Sequence, residues 1–153
     1  MGVVTNQIVD MMNAGMPSAI PAAHKLGVKV VEARRGFAAA TVPVAGNGNH
    51  FGVVYAGVEF IVAEILGGIV AVASFDAAKY FPLVRNLDIA FVGMATTDLR
   101  AEATLDDDSI ARVEAEVAAN GKADYELEAV VTDANGQVVA TTRGLYQLRA
   151  HRK

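Results

Sequence analysis

Glu64 lies in the middle of FIVAEILGGIV, the most apolar stretch of the chain. A carboxylate there either faces a wet cleft or carries a desolvation cost, and desolvation raises its pKa toward the range of a general base. The alternative is a structural glutamate held by backbone or a polar neighbour. Glu59, five residues earlier and about 140° round a helix from Glu64, reads as a rim carboxylate. Upstream stand Asn49, His50, Gly52, Tyr55, Ala56 and Gly57. Asn49 suits a turn, and His50 a helix entry or cap. The first turn of a helix presents unpartnered N–H groups and a positive dipole end, so the Ala56 N–H is a candidate oxyanion donor. Small residues at 56 and 57 let a ligand approach the backbone closely. Ala56 and Glu64 would be ~12 Å apart along a helix, too far to act on one carbon within one chain. Two-fold pairing of antiparallel helix neighbourhoods would bring one subunit's Ala56 to its partner's Glu64.

Other chemistries find little support. Cysteine is absent, which removes thiolate nucleophiles and disulfides. His24, His50 and His151 are widely separated, against a multi-histidine metal site. Gly46-x-Gly48-x-x-x-Gly52 is one residue too long for a dinucleotide fingerprint and follows a hairpin. Ser18, Ser74 and Ser109 lie in no G-x-S-x-G elbow. A net charge of −4 and a pI of about 5.3 argue against nucleic acid as a partner.

A chain of 153 residues has room for a single domain, here residues 1–153. The 10-residue stretch TNQIVDMMNA (5–14) reads as a short amphipathic helix ending near Gly15. Residues 25–44 read as a hairpin turning at Arg34-Arg35-Gly36. A long apolar helix is expected from about Val53 to Ser74. Strands follow over 84–92 and 97–105, a helix over 108–119 begun by the Asp106–Ser109 segment, and a hairpin turning at Asp133-Ala134-Asn135-Gly136. The run from Phe51 to Phe75 imitates a membrane span, but it holds Glu59 and Glu64 and has no close Lys or Arg. Met1 to Asn13 lacks the charge and apolar core of a secretory signal, so the expected location is cytoplasmic, with no membrane span. One helix that is apolar all round calls for an antiparallel sheet of about six strands, joined mainly by hairpin-like turns and curled around it, in the α+β class.

NHFGVVYAGVEFIVAEILGG resembles the helix-entry motif of hotdog-fold acyl-CoA thioesterases, in particular their phenylacetate-pathway branch. Asn49, Gly52, Gly57 and Glu64 match that motif. Tyr55 stands where its His is usual, Ala56 at the first of its paired glycines, and Gly68 where some branches carry Thr or Ser. LDIAFVGMATTDLRAEATL resembles the family's central pair of strands, and DANGQVVATTRGLYQLR its closing hairpin. The similarity covers most of residues 25–149 and is greatest to a poorly characterised subfamily with an extra helix before the last hairpin.

The resemblance implies a hotdog fold, a homodimer or dimer of dimers, and hydrolysis of an acyl-CoA thioester. Glu64 would be base or nucleophile, Asn49 would orient the carboxylate, the water or the carbonyl, and the Ala56 N–H would hold the oxyanion. A tunnel lined by Ala and Val would take the acyl chain. Arg143, Arg149, Arg152 or Lys153 would meet the CoA phosphates. No cofactor is expected beyond CoA as part of the substrate, and no metal. His50 and Glu64 also resemble the His–acid pair of β-hydroxyacyl thioester dehydratases, and a non-catalytic acyl-thioester-binding dimer is the third reading.

Overall fold

Gly36 has φ 79°, and a Cβ there would lie 2.6 Å from the Leu105 carbonyl oxygen. Glycine therefore closes the turn between β1 (Lys29–Arg34) and β2 (Phe37–Val42), the expected first hairpin. The computed structural model describes residues 2–152. It extends this hairpin with β3 (Tyr80–Phe91), β4 (Leu99–Thr104), β5 (Lys122–Thr132) and β6 (Val138–Ala150). The result is a six-stranded antiparallel sheet in the order β1-β2-β4-β5-β6-β3.

The sheet wraps a helix formed by α3 (Ala56–Glu64) and α4 (Leu66–Ser74), joined through Ile65 in helical conformation. Together these segments pack against every strand. By length and composition this helix could cross a membrane, yet more than half of it is buried inside the sheet. Val58, Val62, Ala63, Leu66, Ile69 and Val70 face the core with alternate residues of β5, Ala123 through Val131. α5 (Asp107–Asn120) precedes the last hairpin as expected. The Asp106 side chain accepts the Ser109 N–H at 2.7 Å and caps it.

Three expectations need correction. The first helix does not stop near Gly15; α1 spans Gly2–Ala19, through Gly15 and Pro17, and α2 follows at Pro21–Leu26. Packing on β1 outweighs the local breakers. Asn13 fixes that packing: its Nδ2 donates to the Val30 carbonyl and its Oδ1 accepts the Val30 N–H, both at 2.8 Å. One free edge of the sheet is thereby covered. Nor are β3 and β4 a central pair: β4 lies between β2 and β5, while β3 is the opposite edge. Hairpins join only β1 to β2 and β5 to β6; the other connections use helices or cross the sheet. Pro82 within β3 is compatible with an edge, where no ladder donor is needed on the outer side.

Candidate active site

Gly67 makes the space beneath the helix: a Cβ there would meet Tyr146 Cε1 at 1.9 Å. The Tyr146 ring fills that space and stacks on Tyr125, with centroids 5.4 Å apart. Tyr146 donates to the Glu64 carbonyl and Tyr125 to the Gly67 carbonyl, each at 2.9 Å. Burial pushes both phenols well above their ordinary pKa, so they remain protonated donors. Two backbone carbonyls bracketing the α3–α4 junction are thus pinned to the sheet.

The Glu64 side chain is half-buried, and burial lifts its pKa above the ordinary carboxylate value. It lines a cavity of about 190 Å³ with Gly68, Tyr146 and, from the edge strand, Pro82, Leu83 and Val84. The carboxylate therefore opens beside the free edge of β3.

The loop before α3 is tied down by its own amides. Asn47 is buried, and its Nδ2 donates to the Leu26 and Pro43 carbonyls at 2.7 and 2.8 Å. Asn49 Oδ1 accepts the N–H groups of Phe51 at 2.8 Å and Val53 at 3.3 Å, a turn-forming pattern. The loop uses the carbonyl end of this amide only. Gly52 completes the turn at φ 80°, and Val54 N–H donates to the Ala95 carbonyl at 2.7 Å. Tyr55 is the N-cap residue but makes no side-chain cap bond. Its ring lies over Gly57, 2.6 Å from where a Cβ would be. The N–H groups of Ala56 and Gly57, in the first turn, have no partner within the helix. His50 is exposed, its ring 4.0 Å from that of Phe51.

The fold therefore groups Asn49, His50, Gly52, Tyr55, Ala56 and Gly57 at one end of α3 and leaves Glu64 at the other, ~12 Å along the axis. Arg143 and Arg149 occupy positions of β6 alternating with Tyr146, so they point to the sheet face away from the helix. Arg143 pairs with Glu128 at 3.1 Å, and Arg149 Nε donates to Gln147 Oε1 at 2.6 Å. Arg152 is exposed near the terminus, and Lys153 lies outside the described residues.

Glu59 is not a rim residue: only 5% of it is exposed. Its Oε1 is buried without a hydrogen-bond partner, and burial raises its pKa to about 7. The sequence showed a charge in an apolar run here as clearly as at Glu64, but could not say which would be covered. Tyr125 and Tyr146 also escaped sequence reading as parts of the site, since alternation marks them only as core. Among the described residues no cluster of His, Asp and Glu offers three metal ligands.

An antiparallel sheet wrapped around one apolar helix, in this strand order, is the hotdog fold of the solved structures that resemble it. Residues 10–146 match the family described as Domain of unknown function (DUF4442), and the chain belongs to that family. A Pseudomonas aeruginosa protein of unknown function, named a probable thioesterase, is 37% identical, with TM-score 0.86 over 93% of this chain and 95% of its own. A Chlorobaculum tepidum protein of unknown function gives TM-score 0.83 at 14% identity, covering 96% of this chain and 97% of its own. A Haemophilus influenzae thioesterase gives 0.74 at 14% identity, covering 93% and 90%. At that identity these last two share the fold alone. No curated protein matches the sequence.

Proposed function

We propose that the protein hydrolyses acyl-CoA thioesters at a site completed by a second copy of the chain. The observation that carries this reading is Glu64: a desolvated carboxylate opening into a cavity at a free sheet edge, in a fold shared with a 37% identical probable thioesterase. The partner's helix entry supplies what Glu64 lacks in its own chain. There the Ala56 N–H, with the Gly57 N–H beside it, faces the thioester oxygen, and the Asn49 amide N–H donors orient the carbonyl or the water.

Glu64 takes a proton from a water as the water oxygen bonds to the thioester carbon. The carbonyl π pair moves to oxygen, where the helix-entry N–H groups hold the developing charge. On collapse the C–S bond breaks, the sulfur leaves with the electron pair and takes the proton from Glu64. Acid and thiol are the products, and Glu64 is ionised again.

The second copy is expected on β3. Its edge is open, and exposed apolar side chains lie along it, Leu83, Val84 and Phe91, and just past its end, Val92 and Met94. Phe51 and Tyr55, 73% and 59% exposed, join them because Val54 clips the motif loop to Ala95. Edge-to-edge pairing would cover this surface and bring both motif loops to the interface. His50 belongs to the same helix entry, so the dehydratase reading is tested by mutation: a His50→Ala protein that still hydrolyses acyl-CoA at a near-normal rate would eliminate it. A panel of acyl-CoAs with free thiol monitored tests the hydrolase reading. Chain-dependent release is expected; binding without release from any of them would make the protein a carrier.

A further inference from the structure

A second cavity, of about 340 Å³, lies between α1, α4 and β1. Met11, Met12 and Met16 of α1, Val30 of β1, and Ile69 and Val72 of α4 make its walls, with no polar or aromatic side chain among its lining residues. It shares Ile20, Ile65, Gly68 and Pro82 with the Glu64 cavity, so the two form one continuous groove with the carboxylate at one end. Gly68 stands at the junction. It is one helical turn from Glu64 on the same face, and a Cβ there would come no nearer than 4.0 Å to Pro82 Cγ. A bare glycine leaves the passage open; a long side chain would fill it. The α1 wall is anchored through Asn13 to Val30, while three of the chain's five methionines, unbranched and adaptable, face the groove.

We infer that this groove receives the acyl chain of the thioester, that the preferred chain is linear and aliphatic, and that Gly68 governs its entry. The inference rests on the hydrolase reading above. Its occupant follows from continuity with Glu64 and from the apolar lining. At ~30 Å³ per methylene, close to the share of a liquid water, 340 Å³ takes on the order of ten carbons. The walls are Met and Ile as much as Val, unlike the Ala/Val tunnel expected from sequence.

The test is kcat/KM for acetyl- through hexadecanoyl-CoA and for phenylacetyl-CoA, on the wild type, Gly68→Leu and Met11→Glu. Met11 is 61% exposed, so its substitution spares the fold. For the wild type, kcat/KM should climb about fourfold per methylene and level off near ten carbons. The decanoyl-to-acetyl ratio should fall about 30-fold or more in Gly68→Leu and fall also in Met11→Glu. The ratio cancels any general loss of active protein. A ratio unchanged in both variants, a flat wild-type series, or phenylacetyl preferred to decanoyl would overturn the groove while leaving the hydrolase reading intact. If the wild type releases no thiol at all, the hydrolase reading fails, and thioether analogues of acetyl- and decanoyl-CoA decide the groove. Tighter binding of the decyl analogue that Gly68→Leu abolishes supports it; equal binding, or none, overturns it.

Discussion

Glu64 and Glu59 are two desolvated carboxylates with different surroundings, and Gln at each position separates their roles. Glu64→Gln keeps volume and hydrogen bonding but removes basicity. Thioester turnover should fall on the order of 10²–10⁴-fold with the melting temperature unchanged or raised, since a buried potential charge is gone. Wild-type turnover should rise with pH through the elevated pKa of Glu64, because the ionised form is the base. An active but destabilised Glu64→Gln protein would make the residue structural. Glu59 has a folded-state pKa of about 7 against an ordinary 4.5. Between those values the folded protein keeps a proton that the unfolded chain has released, so this group's contribution declines as pH rises from about 4.5 to 7. Glu59→Gln should therefore stabilise the protein by up to about 3 kcal/mol at pH 8 and by far less at pH 4.5, read from urea unfolding at both. A gain independent of pH would contradict the buried, unpartnered carboxylate. Both charges were visible in the sequence; their relative burial was not, because it depends on how the sheet curls round the helix.

The central helix carries adjacent glycines with opposite demands. Ala is the better helix former by about 1 kcal/mol, yet at 67 its Cβ would fall 1.9 Å from the Tyr146 ring, whereas at 68 the nearest atom is 4.0 Å away. Gly67→Ala should lose about 1–3 kcal/mol or more and loosen the Tyr146 bond to Glu64; Gly68→Ala should be neutral or slightly stabilising. Melting curves of the two variants check the pair, and equal shifts would refute the packing described for Tyr146. This helix, both hairpins and α5 were legible because apolar periodicity and turn residues such as Arg35-Gly36 and Asp133–Gly136 act locally. The course of α1 past Gly15 and Pro17 was not, since it is held by Asn13 against a strand seventeen residues away. The edge position of β3 was equally hidden: Pro82 is a local sign of an edge, but strand order is set by long-range pairing. The helix-entry motif was legible as a motif, and the separation of its two halves followed from helix rise alone.

Across the whole molecule, β1 is covered by α1 while β3 remains open beside Glu64 and the apolar side chains around the motif loop. That asymmetry is what the proposed two-fold edge-to-edge dimer would use, and in that dimer the site would belong to two chains. Mixing two inactive variants tests this most directly. Glu64→Gln removes the base. Ala56→Pro removes the oxyanion N–H at a position where proline suits the helix start, since Tyr55 is already extended at φ −60°, ψ 137°. Each variant alone should be a dimer with little turnover. After co-refolding, half the dimers should be mixed, each with one intact site, so thiol release should recover to about a quarter of wild type. No recovery, with mixed dimers demonstrated by native mass spectrometry, would contradict a site shared between subunits.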